Sequence, residues 1–175
     1  KGGAGVHTGD AVALALESIK DSPWVDSMDL SIHLAVAGNP NGGADANEAA
    51  THAEDAGVFV DCVSIGNTVT GCDFIDGSGG SKNAILAVED LDAILRDKLV
   101  EDLPTVTEED VRAIVLSLDV SDSISDTDFA SVIDSNIAVL SAVIGERFGE
   151  LAVGVDVFGG AAKTMFPLQL MEDQA

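Results

Sequence analysis

The stretch LSLDVSDSISDTDF, residues 116–129, decides the fold. It begins inside VRAIVLSLD (111–119), an apolar and β-branched run of the kind that forms a strand buried on both faces. That run ends in Asp119, and Ser121 and Ser123 follow at alternate positions. Ser125 then stands where it can cap a long helix, with Asp128 at the third helical position, a near capping box. Phe129, Val132, Ile133, Leu140, Val143 and Ile144 recur at helical spacing and give this helix a core face. One carboxylate and two hydroxyls thus gather at the carboxyl end of a strand, beside a helix N-terminus. Open α/β sheets bind their ligands at that edge, and hard oxygen donors suit Mg²⁺, Mn²⁺ or Ca²⁺.

Working outward, strand-like and helix-like stretches alternate. On the carboxyl side, LAVGVDVF (151–158) and AAKTMFPL (161–168) flank Gly159-Gly160 and read as a hairpin. On the amino side, a Gly-rich loop (1–9) opens a helix near Thr8 or Asp10, with Val12, Leu16 and Ile19 at helical spacing. DLSIHLAVA (29–37) is a buried strand before the turn cluster GNPNGG; a short helix at 46–56 is stopped by Gly57; VFVDCVSIG (58–66) is the next strand. Residues 67–83 are turn-rich and unassigned; AILAV (84–88) reads as a short strand and EDLDAILRDKLVED (89–102) as the helix after it. The expected fold is α/β, a doubly wound and mostly parallel sheet flanked by helices, with 111–119 central and 161–168 an antiparallel edge strand. All 175 residues fit one domain.

Composition agrees. Apolar residues make up 46% of the chain but aromatics only 4%, and Tyr is absent, so the core is built from Ala, Val, Leu and Ile. Acidic residues number 31 against 8 basic ones, a net charge of −23, and they are scattered rather than massed in a tail. Such a coat repels itself in dilute buffer, whereas at roughly 1 M salt the screening length falls to about 3 Å. This reads as adaptation to a saline setting. Nucleic acid and anionic membranes are poor partners for that surface, and no apolar run approaches the roughly 20 residues of a membrane span. Cys62 and Cys72 could close a local disulfide, which would imply an oxidising compartment, or stand as two buried thiols.

The Asp119-x-Ser121-x-Ser123 signature, with the helix, strand and hairpin partner that follow it, resembles the first third of a von Willebrand factor type A domain with its metal-ion-dependent adhesion site. The start of the chain resembles the remainder of such a domain, GGAGVHTGDAVALAL matching its threonine-bearing loop and helix and LSIHLAVAGNPNGG its central strand and following loop. The resemblance covers nearly the whole chain in circularly permuted order: residues 105–175 are similar to the amino-terminal part and 1–103 to the carboxyl-terminal part, with EDLPTVTEED joining them. The chain departs from the family at two ligand positions. The metal-site threonine falls on Val6, with Thr8 two residues later, and the aspartate of the second loop falls on Ala37. The resemblance therefore implies a degenerate site of Asp119, Ser121, Ser123 and Thr8, holding Mg²⁺ or Ca²⁺ weakly or not at all.

Other constellations are weaker. KGGAGVHTG superficially resembles a phosphate-cradling loop but lacks the Gly-Lys-Ser/Thr ending, so its glycines are read as turn chemistry. No Gly-x-Ser-x-Gly elbow surrounds Ser121 or Ser123, and His7, His33 and His52 sit in unrelated contexts: a loop near the site, a packed strand and a solvated helix face. The expected function is a non-catalytic, extracellular or cell-surface module that binds a protein or matrix ligand through a crown formed by residues 4–9, 37–43 and 119–125. The alternatives are self-association as a structural subunit of a filament or tandem array, and an intracellular domain of an ATPase or chelatase assembly, which reduced cysteines would favour.

Overall fold

The structure, a computed structural model, describes residues 5–26, 29–66, 69–75, 80–85, 90–96, 111–122, 125–146 and 151–171. Six strands form one sheet: β1 (Asp29–Val36), β2 (Val58–Ile65), β3 (Lys82–Ile85), β4 (Arg112–Asp119), β5 (Leu151–Phe158) and β6 (Ala162–Leu170). Their spatial order is β3-β2-β1-β4-β5-β6. All neighbours run parallel except β5 and β6, which are antiparallel. This is the mostly parallel α/β architecture with an antiparallel edge strand that the alternation of apolar runs implies, and it is Rossmann-like.

Helices cover both faces. α1 (Thr8–Lys20) and α2 (Ala46–Asp55) pack on one face, where Val12, Ala15 and Ile19 meet Ile32, Leu34, Val60 and Val115. α3 (Leu91–Arg96) and α4 (Asp126–Glu146) lie on the other, where Leu91, Phe129, Val132 and Ile133 meet Ala35, Val63, Leu116 and Leu118. Every residue of β4 is buried, as a strand sandwiched between helices requires. Of the core face read for α4, the side chains of Leu140, Val143 and Ile144 lie outside the described residues.

Local chemistry sets the helix ends. Asp45 caps α2 by accepting the N–H groups of Asn47 and Glu48, at 2.8 and 3.2 Å. α1 begins at Thr8 and α4 at Asp126, where Phe129 N–H bonds the Ser125 carbonyl.

Some boundaries differ from the sequence reading. β3 is described over Lys82–Ile85 and begins two residues before the expected 84, because pairing with Cys62–Ile65 starts at Lys82; residues 86–88 of the expected strand lie outside the described residues. The helix read at 89–102 is described only over Leu91–Arg96, and both its continuation and the 101–110 link lie outside the described residues. The unassigned stretch 67–83 contains a 3₁₀ helix over Val69–Ile75. A Cys62–Cys72 disulfide ties that helix to β2, so the two buried thiols are one bond.

Candidate functional site: the crown at the switch point

The chain leaves β1 towards β2 and β3, and leaves β4 in the opposite direction towards β5 and β6. β1 and β4 are adjacent, so the order reverses between them. Sheets of this kind bind their ligands at the carboxyl ends of the two strands flanking such a reversal. Ala37 follows β1 there and Asp119 closes β4.

Asp119 is 1% exposed, and both of its oxygens are engaged. Oδ1 accepts the N–H of Ser121 at 2.8 Å, and Oδ2 accepts the N–H of Ala37, 82 residues distant, at 3.0 Å. The carboxylate therefore ties the loop after β1 to the loop after β4 across the switch point.

The Gly-rich loop before α1 joins the same crown. Val6 and Asn41 are doubly bonded, with Val6 N–H to Asn41 Oδ1 at 2.8 Å and Asn41 N–H to the Val6 carbonyl at 3.1 Å. His7 N–H bonds the Gly159 carbonyl, and Val120 N–H bonds that of Phe158, so the ends of β4 and β5 and the start of α1 share one cluster. His7 Nδ1 stands 3.1 Å from Asp10 Oδ2, and Asp10 Oδ1 accepts the Ala44 N–H at 2.8 Å. Two glycines are required by this closeness: Gly43, at φ 76°, lies against the Asp10 carboxylate, and a Cβ on Gly9 would collide with the Ala44 carbonyl.

Of the residues read as metal ligands, Asp119, Ser121 and Thr8 all lie in this crown, and Ser123 lies outside the described residues. Thr8 and Ser121 are fully buried. The Thr8 hydroxyl makes no hydrogen bond among the described residues. Val6 is 1% exposed and apolar, and Ala37 offers only its backbone. Among the described residues, no three His, Cys, Asp or Glu side chains stand together where they could share a metal. Among the described donors there is one carboxylate, and each of its oxygens already accepts a backbone N–H; a hard divalent cation takes several oxygen ligands and is held more weakly as their charge falls.

The loop that follows β1 is uncharged. Gly38 to Ala44 carries no ionisable side chain, and from Leu30 to Ala44 the chain has no acidic residue. A shallow, open groove of about 390 Å³ runs along Pro40, Asn41, Gly43, Asp45 and Phe74. At its rim, the N–H groups of Glu48 and Asn47 hold the Asp45 carboxyl below its ordinary range.

Two arrangements were missed in the linear sequence. Asp156, on β5, is 1% exposed, and neither carboxylate oxygen makes a hydrogen bond among the described residues. Burial pushes its pKa up, and the hydroxyl of Thr164, its register partner on β6, lowers it only in part because it lies outside hydrogen-bonding geometry. The second arrangement involves His33, packed in β1 as expected, which faces Asp61 of β2 and Ser31 of its own strand. Parallel register places residue 33 opposite residue 61, which no local motif announces.

No protein-family model and no curated protein matches this sequence. A solved structure of an uncharacterized protein from Alicyclobacillus acidocaldarius subsp. acidocaldarius is similar at TM-score 0.66, with 21% sequence identity, covering 83% of this chain and 81% of that one. At that identity the likeness carries the fold alone, and the chain stands as a Rossmann-like α/β protein with its crown at the switch point.

Proposed function

We propose that this protein is a binding or adhesion module of the von Willebrand A type, permuted in sequence, whose crown engages a protein or matrix ligand without a metal ion. The bonding of Asp119 carries this reading. Its carboxylate sits where the family resemblance implies a metal ligand, yet both oxygens hold backbone N–H groups of the two crown loops. The crown is thereby fixed by a charge-assisted clamp rather than by an ion. The neutral 38–44 loop supports contact with another macromolecule, since it interrupts the acidic coat of a chain with net charge −23. The Cys62–Cys72 bond favours an extracellular or cell-surface setting over an intracellular assembly.

Immobilised extracellular-matrix proteins, probed with this chain in ~2 M NaCl, where surface charge is screened, test the reading. Binding that persists in EDTA and is lost on Asn41→Asp is expected. Asp at 41 keeps the acceptor for Val6 N–H while adding charge to the neutral loop. Binding abolished by EDTA, or unchanged in Asn41→Asp, would overturn it.

A second reading, assembly into a filament or array, draws on β6. This edge strand exposes Met165 (59%) and Phe166 (42%), and no carboxylate occurs from Val157 to Met171. Exposed apolar edges are templates for pairing. Failure to bind any matrix protein, with concentration-dependent mass in high salt, would favour it.

A further inference from the structure

On the sheet face that carries α3 and α4, and apart from the crown, three side chains stand in line. Ser31 and His33 are two positions apart on β1 and so share a face. His33 is in register with Asp61 on β2, and Ser31 with Phe59. Ser31 Oγ lies 3.1 Å from His33 Nε2, and His33 Nδ1 lies 3.5 Å from Asp61 Oδ2. The other oxygen of Asp61 is held by Ser81, through its N–H at 2.8 Å and its hydroxyl at 2.6 Å. We infer that Ser31, His33 and Asp61 form a reactive-serine site that accepts acyl groups from small neutral esters.

The roles follow from which atoms face each other. Asp61, pinned by Ser81, favours the imidazole tautomer with its proton on Nδ1. Nε2 is then an acceptor directed at the Ser31 hydroxyl, the relation of base to nucleophile that defines such triads on unrelated folds. The 3.5 Å separation is of the kind that tightens when substrate binds. His33 is 7% exposed and held by its neighbours, whereas Ser31 is half-buried, so the base stays oriented beside a partly exposed serine. Beside Ser31, Phe59 is 50% exposed, an apolar platform for an acyl chain. The net charge of −23 disfavours anionic substrates, and the uncharged, apolar Phe59 platform suits a neutral acyl group better than a charged one.

In the step itself, Ser31 Oγ bonds to the ester carbonyl carbon and its proton passes to His33 Nε2. The bond to the alcohol then breaks, His33 returns that proton to the departing oxygen, and the acyl group remains as an ester on Ser31. Water releases it by the same route. β1 is hydrogen-bonded to β2 and to β4 on either side, so its backbone N–H groups are occupied and offer no oxyanion hole at Ser31. Each missing donor of that kind costs about 10²–10³ in rate. Acylation is therefore expected to outlast many minutes, with little turnover.

A fluorophosphonate probe, which phosphonylates a nucleophilic serine with loss of fluoride, tests the site when followed by peptide mapping. One adduct on Ser31 is expected in the folded chain and none in urea. His33→Ala should lower the labelling rate by roughly 100-fold or more, the share of a general base, and Asp61→Asn by a smaller factor. His33→Gln, which retains a hydrogen-bonding group at the buried position, serves if the alanine variant unfolds. No adduct on Ser31, or a rate unchanged by loss of His33, would overturn the inference. The readout does not involve the crown, so it stands or falls separately from the binding reading.

Discussion

Asp119 and Asp156 lie two register positions apart on neighbouring strands, each 1% exposed, and they live differently. Asp119 closes β4 at the switch point and accepts two backbone N–H groups from two loops. Asp156 sits one strand further out, beside the antiparallel edge, and accepts none among the described residues. Hydrogen bonds to a charged acceptor stabilise it, whereas a buried, unpaired carboxylate destabilises the fold until it takes a proton. Identical side chains at equal depth thus serve opposite ends: one assembles the crown, the other burdens the edge.

The sharpest way to break the comparison is Asp119→Ala. It leaves the Ala37 and Ser121 N–H groups buried without their acceptor, and chemical denaturation should show a loss of about 3–5 kcal/mol, the worth of two hydrogen bonds to a charged group. A loss below about 1 kcal/mol would mean that the clamp contributes little. Next in size is the disulfide. Replacing Cys62 and Cys72 by Ser opens a loop whose ends are 10 residues apart, and about 3 kcal/mol should go with it. Because the 3₁₀ helix also packs Gly71 against the Gly38 carbonyl, the crown should loosen locally, as hydrogen exchange at residues 38–44 would report.

Asp156→Asn should act in the other direction. Its folded pKa is raised above the ordinary 3.8, so the folded state binds the proton more tightly than the unfolded chain. Its contribution is therefore intact in acid and is lost as pH rises through the raised value. The variant should be more stable than the native chain at pH 7 by about 1–2 kcal/mol, and the advantage should vanish in acid. A melting curve against pH that is parallel for the two proteins would contradict this. Asp45 has the opposite sign, because its lowered pKa stabilises above the ordinary carboxylate range and that stabilisation is lost as pH falls. Smallest is Thr8→Val. The Thr8 hydroxyl is buried without a hydrogen bond among the described residues, so removing it should be neutral or stabilising by less than about 1 kcal/mol. A clear loss of stability would show that the hydroxyl has a partner after all.

The sheet was legible because its strands obey one-dimensional rules. VRAIVLSLD is apolar almost without break and became the fully buried β4, and Gly159-Gly160 between two apolar runs became the β5–β6 turn. The start of β3 was placed two residues late because Lys82 and Asn83 look polar in sequence, and their place in the edge strand is set by pairing with Cys62 and Val63. At the site, Asp119 could be read from the strand–turn–helix pattern, and the family resemblance placed the loops at 4–9 and 37–43 beside it. What could not be read was that Asp119 would spend both oxygens on backbone groups, one of them 82 residues away. The Ser31, His33 and Asp61 line was equally hidden, since it depends on the parallel register of β1 against β2. Asp156 was passed over because alternation along LAVGVDVF gives no reason to place a carboxylate inside.

The central claim, that the crown is closed by Asp119 and its two N–H partners rather than by a metal, is tested most directly by calorimetric titration with Mg²⁺ and Mn²⁺. The native chain should give no saturable heat at millimolar-order concentrations, the weakest range of protein oxygen sites. Ala37→Asp combined with Val6→Thr, which restores the carboxylate and hydroxyl the family resemblance implies, should create measurable affinity. Tight Mg²⁺ or Mn²⁺ binding by the native chain, lost on Asp119→Asn, would contradict the account.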